Sequence, residues 1–296
     1  MLGHESTGEV VAVGESVTDL ATGDTVMVTW VPKNQDQARR QGGATELKLP
    51  DGRTATSINV FTWATHTIAD EMYVVKVPDD IDRETDSIIG CAVITGAGAV
   101  LHTAGVKQGD SVAIIGVGGV GLSAVAAAAH LGANPVIAVD LDDTKLEFAK
   151  QFGATHGVNA TDGDAVSAIK ELTPVEGQFD ILRQPVAGVD YAFDAAGLEV
   201  TLEQAYESLA KCGVAMAVGI PPNNAEIRIS ATALVYEERA LTGSLYGSAA
   251  PRKDIPQLIN LYREGELKLD ELLTRIYSIE EINEAYAAME SGETLR

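Results

Sequence analysis

Residues 3–6 read GHES, setting a histidine, His4, beside a carboxylate, Glu5, within the first few positions of the chain. Imidazole and carboxylate are donors that a divalent cation accepts, and imidazole also moves protons near neutral pH. By itself the pair carries little, because a histidine flanked by a glutamate is more often a hydrogen-bonded surface pair. Thiolate is the other donor to place, and the chain has two cysteines, Cys91 and Cys212. Two thiols cannot build a disulfide framework or a four-cysteine structural zinc site, and they suit a reducing, cytoplasmic compartment. Cys212, in AKCGVA, reads as a small buried residue in a helix-to-strand turn. His130 and His156 read as structural, and His66, in the strand-like ATHTIADE, is the histidine to test as a polar group near a cleft.

A second chemistry is written in SVAIIGVGGVG, which runs into an alanine-rich stretch. Gly116, Gly118 and Gly121 hold the G-x-G-x-x-G spacing between a strand and a helix. There the first glycine permits a tight turn, the second lets backbone approach a pyrophosphate, and the third lets helix and strand pack closely. Phosphates sit at such a helix N-terminus, facing the backbone of Gly116, Val117, Gly118, Gly119, Val120 and Gly121. The next strand, PVIAVD, ends at Asp140, nineteen residues past Gly121, where a carboxylate can accept from a ribose 2′-hydroxyl. Asp142 and Asp143 add charge that repels a 2′-phosphate, so the cofactor expected is NAD rather than NADP.

The elements that must hold these residues follow from pattern. A chain of 296 residues exceeds one compact core, so two unequal domains are expected. Residues 8–28, GEVVAVGESVTDLATGDTVMV, alternate β-branched runs with glycine turns and read as antiparallel strands of a small barrel. The polar segment Pro32–Thr56 reads as a long loop or lobe, and strand character returns over Ile58–Val77. From Asp110 the runs SVAIIG, PVIAVD, THGVNA, VDYAFDAAG and GVAMAVGI alternate with helix-like LSAVAAAAHLG, TKLEFAKQFG and LEQAYESLAKCG. That alternation predicts parallel βαβ units in a doubly wound sheet. Gly132, Gly153 and Gly213 are placed to end those helices in the left-handed conformation. The tail predicts two amphipathic helical segments around a short strand, folding back on the first domain.

Charge excludes some partners. With 43 acidic against 21 basic side chains the formal net charge is −22, which opposes phosphate backbones and anionic lipid surfaces. No nucleic-acid or membrane partner is expected. The acidity reads as a solvated surface or as adaptation to high salt. Ser111 to Val139 lacks Asp, Glu, Lys and Arg, but glycines, His130, Asn134 and Pro135 interrupt it, as a buried α/β core would.

GHESTGEVVAVGESV, with Gly3, His4, Glu5, Gly8, Gly14 and Val17, followed by GDTV, IIGCAVITGAGA, the glycine motif and the tail INEAYAAMESGETLR, resembles the zinc-dependent medium-chain alcohol dehydrogenases over essentially the whole chain. The resemblance implies an α/β fold: a Rossmann doubly wound parallel sheet plus a GroES-like antiparallel β-barrel catalytic domain, incomplete at its N-terminus. It assigns residues 1–91 and 246–296 to the catalytic domain and 92–245 to the NAD-binding domain. It implies NAD-dependent interconversion of an alcohol and its aldehyde or ketone by zinc-assisted hydride transfer, in a homodimer or homotetramer. His4 and Cys91 match two zinc ligands, and Glu5 matches a carboxylate that lies near the metal or binds it directly. Thr95 and Val120 match residues against the nicotinamide, Lys145 one at the adenosine ribose, Val218, Gly219 and Ile220 backbone near the nicotinamide, and Arg296 an arginine reaching the pyrophosphate.

Departures from the family pattern shape the expectation. The family's first zinc cysteine and its proton-relay hydroxyl and histidine belong upstream of GHE, so truncation is expected, with the third protein ligand missing. The lobe TWVPKNQDQARRQGGATEL lacks cysteine, so zinc is expected at the catalytic site only. Two rival readings are a zinc-free reductase resembling quinone oxidoreductases and a nucleotide-binding module without turnover. An edge strand near Ile227–Ile229 in AEIRIS is expected to pair across a two-fold axis.

Overall fold

The computed structural model describes residues 2–32, 45–57, 60–179, 183, 185–292 and 294–296. The chain divides into two compact units: Met1–Ile94 with Ala249–Arg296, and Thr95–Ser248.

In chain order the first unit contributes β1 (Ser6–Glu9), β2 (Thr25–Val28), β3 (Thr45–Lys48), β4 (Thr54–Ser57) and β5 (Val74–Lys76). β2 is the middle strand of an antiparallel three, with Ser6 opposite Val28 and Val26 opposite Lys76. All four β2 residues are buried, and Val28 joins Val60 and Tyr73 in a small core under Trp30 and Met72. The polar stretch read as a loop contains the β3–β4 hairpin, in which Glu46 faces Thr56. Its turn is LPDGR, closed by the Leu49 N–H donating to the Arg53 carbonyl at 2.8 Å, with Gly52 at φ +84°. Residues 33–44 of the expected lobe lie outside the described residues. The strand expected over Ile58–Val77 shrinks to β5, with residues 58–59 outside the described set. Asp70 stops the rest: it accepts from the Met72 N–H and caps a 3-10 turn, Glu71–Tyr73. His66 is thus in irregular, exposed chain, with Nδ1 3.2 Å from the Thr65 hydroxyl.

α1 (Ala92–Gly98) carries the chain into the second unit and is continued by a π-helical segment, Ala99–Ala104. There follow β6 (Val112–Ile115), α2 (Gly119–His130), β7 (Val136–Asp140), α3 (Asp143–Gln151), β8 (His156–Asn159), α4 (Ala165–Leu172), β9 (Pro174–Phe179), β10 (Pro185–Ala187), β11 (Val189–Asp194), α5 (Glu199–Glu207), β12 (Leu209–Ala217), α6 (Ala231–Tyr236) and β13 (Ala240–Gly243). Six strands form one parallel sheet in the order β13-β12-β11-β6-β7-β8, with Val112 aligned to both Val136 and Tyr191. β6 is buried throughout and β7 up to its last residue, the continuous apolar run of a strand covered on both faces. The fully buried Ile114 and Ile137 each contribute about 1.5–3 kcal/mol through the apolar surface they remove from water.

Four expectations need correction in this unit. α5 ends at Glu207 rather than running to Cys212, because the fully buried Leu209 already begins strand β12. The left-handed residue there is Cys212, at φ +64°, not Gly213. Gly213 is needed instead for close approach, since a Cβ would stand 2.9 Å from the Val189 carbonyl oxygen on β11. Cys212 is exposed rather than buried, its Sγ donating to Glu238 Oε2 at 3.3 Å. AEIRIS forms no strand, because the Glu226 and Arg228 N–H groups donate to the Glu199 and Glu203 carboxylates on α5, at 2.9 and 2.7 Å.

α7 (Pro251–Arg263), α8 (Leu269–Leu272) and α9 (Ile282–Ser291) return to the first unit, where α7 lies against β5 and the 3-10 turn Asp86–Gly90. The short strand expected between the tail helices is absent from residues 273–278. No helix among the described residues is long and apolar enough to cross a membrane.

Candidate functional site

In the second unit, the residues read for the cofactor stand at the carboxyl ends of the parallel strands. β6 is flanked by β7 and β11, so the chain leaves neighbouring strands in opposite directions there, which is where doubly wound sheets open a crevice. Gly116 turns the chain at φ +87°, with its N–H donating to the Val139 carbonyl at 2.8 Å. A Cβ on Gly121 would lie 1.9 Å from the Gly116 carbonyl oxygen, so α2 can rise against β6 only without one. A Cβ on Gly118 would meet nothing within 4 Å, which leaves open space at the start of α2. Gly118 is the N-cap and brings no capping side chain, so the first N–H groups of α2, from Gly119, Val120 and Gly121, are left for an anion.

Asp140 clasps this turn. Its Oδ2 accepts from the Val117 N–H at 2.9 Å, and its Oδ1 accepts from Leu141 at 2.8 Å and Asp142 at 3.3 Å. A carboxylate offers about four lone-pair sites, so a hydroxyl can still be received. Asp142 caps α3 through the Thr144 N–H, which holds its carboxyl below the usual range, and Asp143 accepts from the Asn159 side-chain amide at 2.7 Å. Lys145 stands half-buried in the first turn of α3.

The sequence reading missed Asp194, which ends β11. Its Oδ1 accepts the Ala196 and Gly197 N–H groups at 3.1 Å each and the Thr201 hydroxyl at 2.8 Å. Its carbonyl receives the Val218 and Gly219 N–H groups, at 3.0 and 2.8 Å. Burial raises its carboxyl above the ordinary value, against the lowering by those hydrogen bonds. One residue thus fixes two strand-end turns. The first sets Ala196 against Gly116, where a Cβ would find the Ala196 Cβ at 3.0 Å, and the second presents Val218, Gly219 and the exposed Ile220. The legible signal was an acidic residue closing VDYAFD with AAG after it, the same pattern of strand, acid and turn seen at Asp140. Thr95 and Val120 are brought to one place by Gly96, whose Cβ would fall 2.1 Å from the Val120 carbonyl oxygen.

The residues read for the metal lie in the first unit. Leu2 and Gly3 are fixed by the Thr62 and Trp63 N–H groups, each donating to the Leu2 carbonyl at 3.1 Å, and Gly3 takes φ +85° directly beneath Trp63. The Thr62 hydroxyl then donates to the Glu5 carbonyl at 3.0 Å. Glu5 Oε2 accepts the Ala92 N–H at 3.3 Å, and Glu5 Cβ lies 3.4 Å from where a Gly90 Cβ would be. The residues on either side of half-buried Cys91 are therefore held beside Glu5. His4 is exposed and meets the Trp30 ring edge to face at 6.5 Å. No group of three His, Cys, Asp or Glu side chains among the described residues is placed to hold a metal ion. His4, Glu5 and Cys91 thus do not close a zinc site by themselves. Arg296 lies in the first unit, where its carbonyl accepts from the Thr274 N–H at 2.7 Å and its buried Nε has no hydrogen-bond partner.

Comparison with known proteins agrees with this architecture. Residues 1–79 match the family model for the alcohol dehydrogenase GroES-like domain, and residues 119–264 match that for zinc-binding dehydrogenase. An alcohol dehydrogenase class-3 of Cereibacter sphaeroides is 33% identical over 320 aligned residues, spanning 100% of this chain and 83% of the relative. An NDMA-dependent alcohol dehydrogenase of Amycolatopsis methanolica is 34% identical, across 99% of this chain and 82% of its own length. The solved structure of benzyl alcohol dehydrogenase from Acinetobacter calcoaceticus superposes with a TM-score of 0.85 at 32% identity, covering 99% of this chain and 82% of the other. The chain belongs to the zinc-dependent medium-chain alcohol dehydrogenases, combining a Rossmann-like parallel sheet with a GroES-like domain. It is an alcohol dehydrogenase, interconverting an alcohol and its aldehyde or ketone, and neither the zinc-free reductase nor the nucleotide-holding module is favoured. NAD and zinc are the cofactors the family implies.

Proposed function

We propose that this chain binds NAD in preference to NADP, through Gly116, Val117, Gly118, Gly119, Val120, Gly121, Asp140 and Lys145, with Val218, Gly219, Ile220 and Arg296 completing the cofactor contacts. The observation that carries the reading is the glycine turn clasped by Asp140 beside an open helix start. When bound, NAD supplies the hydride acceptor and zinc the Lewis acid of the alcohol oxidation. The chain's own residues bind and orient. The α2 N–H groups receive the pyrophosphate, the remaining Asp140 lone pair accepts a ribose hydroxyl, and Asp142 and Asp143 repel a 2′-phosphate. Thr95 and Val120 restrict the face that the nicotinamide can present.

Residues 1–91 with 246–296 carry the catalytic role, and 92–245 the cofactor role. His4 and Cys91 are the zinc-directed residues, at a catalytic site without a structural-zinc companion, and Glu5 braces the Cys91 turn through the Ala92 N–H. A third donor is required that the described residues do not supply. A cytoplasmic setting is supported by the small number of cysteines, two in the chain, which suits a reducing compartment. A homodimer or homotetramer is supported by β13, an edge strand of the large sheet with largely exposed residues; the Ile227–Ile229 segment does not supply that edge.

The test is NADH and NADPH titration of the purified chain, with zinc analysis and NAD-linked oxidation of primary and secondary alcohols. NADH is expected to bind at least tenfold more tightly than NADPH, and Asp140→Asn to remove most of that ratio. Equal binding of the two nucleotides sinks the cofactor reading.

A further inference from the structure

The turns at the carboxyl edge of the large sheet are held by two different aspartates. The glycine turn is fixed by the Val139 carbonyl, which accepts from Gly116, and by Asp140, which accepts from Val117; neither bond involves the turns after β11 and β12. Those two turns have little apolar burial of their own. Ala196 is exposed, Leu198 is 52% exposed and Ile220 78%, so packing against the core does not set their path.

Hydrogen bonds to Asp194 do. It is 1% exposed and closes β11 level with Ile115 on β6 and Ala217 on β12. Its side chain gathers the Ala196 and Gly197 N–H groups and the Thr201 hydroxyl, and its carbonyl gathers the Val218 and Gly219 N–H groups. The Thr201 oxygen in turn accepts the Leu198 N–H at 3.2 Å, which ties the same turn to the start of α5. A carboxylate is costly to bury unless it is hydrogen-bonded, and among the described residues every hydrogen bond to this side chain comes from residues 196–201. The second turn must follow the first, because a Cβ on Gly197 would meet the Gly219 carbonyl carbon and the Ile220 nitrogen at 3.0 Å each.

We propose that Asp194 is the positioning residue for the nicotinamide end of the cofactor. Through Ala196 and Gly197 on one side and Val218 and Gly219 on the other, it sets the wall on which the ring rests, and it leaves the adenosine end to Asp140. This rests on the cofactor reading above. Removing the carboxylate in Asp194→Ala leaves two N–H groups and a hydroxyl to find other partners, so the turns loosen together. Asp194→Asn keeps an oxygen at Oδ1 for all three donors and places its amide nitrogen at Oδ2, to which no described residue bonds.

NADH and ADP-ribose, which lacks the nicotinamide, are titrated into the full chain and both variants by calorimetry. Asp194→Ala is expected to weaken NADH by about tenfold and ADP-ribose by less than about twofold, and Asp194→Asn to bring NADH back to within about threefold of the parent. The emission of bound reduced nicotinamide should fall in Asp194→Ala and return in Asp194→Asn. In the chain without nucleotide, amide exchange over residues 195–198 and 217–220 should quicken together in Asp194→Ala alone. Should that variant not fold, Thr201→Val removes one donor from α5 without touching either turn, and should weaken NADH more than ADP-ribose. A merely structural aspartate would weaken both nucleotides alike, and that result, or an unchanged NADH affinity in Asp194→Ala, overturns the proposal while the cofactor reading stands. Failure of the parent chain to bind either nucleotide overturns both.

Discussion

At the scale of single residues, the three glycines of the motif perform separable tasks, which makes them testable one by one. Gly118 faces open space at φ −75°, so Gly118→Ala should fold with a stability change within about 0.5 kcal/mol. The same methyl stands where backbone must approach a pyrophosphate, so NADH affinity should fall at least tenfold. Gly121→Ala is the converse. Its methyl would be 1.9 Å from a backbone oxygen, which forces α2 off β6 and should cost about 3 kcal/mol, the upper part of the overpacking range. Urea unfolding paired with NADH titration checks both. If Gly118→Ala binds NADH normally, the open space at the helix start is not the phosphate site.

At the scale of elements, the turn that delivers Cys91 carries a liability. Asp86 opens the 3-10 turn Asp86–Gly90, is almost wholly buried, and leaves Oδ1 without a partner. Burial is the main cause pushing its carboxyl above the ordinary value of 3.8; the Asp82 and Asp270 charges push the same way, and the Asp82 backbone and Arg263 push against. Tyr262, also on α7, donates to Asp270 at 2.9 Å and is itself pushed up to about 12. A carboxyl whose folded pKa is raised binds its proton more tightly in the folded chain. It therefore lowers stability as pH climbs from about 3.8 through the folded value, and that loss is complete above it. Asp86→Asn should be more stable than the parent at pH 7, and the gap should narrow as pH falls toward 4. Thermal unfolding across pH measures it, and a variant less stable at pH 7 would show that the ionised form is favoured.

The elements also show which parts of the chain could be read in advance. The parallel strands were legible because each is a short apolar run bounded by turns, and Gly132 and Gly153 do end helices at φ +77° and +106°. The β3–β4 hairpin was missed although LPDGR carries an Asp-Gly turn, because TELK and TATS are four residues each and bring one apolar side chain apiece, the paired Leu47 and Ala55, too short an alternation to stand out. α4 was missed for a similar reason: its signature, Asp164 accepting from Val166 and Ser167 ahead of Val166 and Ile169, is only two turns long. AEIRIS does alternate, and failed as a strand because glutamates on α5 claimed its N–H groups, a tertiary fact absent from local pattern. Of the site, the glycine turn and Asp140 were readable. Asp194 was not, since its importance lies in bringing together turns from two strands.

At the scale of the whole molecule, a formal charge of −22 on 296 residues produces self-repulsion that salt relieves, the screening length falling from about 10 Å at 0.1 M to about 3 Å at 1 M. Ion pairs do not offset it broadly: those of Arg53, Arg252 and Lys150 join exposed side chains and are worth about 0–1 kcal/mol each. If the acidity is an adaptation to salt, the thermal midpoint should climb by roughly 4 °C or more from low salt to molar KCl, the shift that about 2–3 kcal/mol gives in a chain of this size. A flat profile would assign the acidity to solubility alone.

The meeting of Gly197 with Gly219 has a practical use. A Cβ on Gly219 would stand 2.3 Å from the Gly197 nitrogen, so the turn after β11 and the turn after β12 cannot slide past one another. They form a single mechanical part, tethered through the carbonyl and carboxylate of one aspartate. A spin label or fluorophore installed at Ile220, 78% exposed, would therefore report displacement of the distant-in-sequence AAG turn as faithfully as its own.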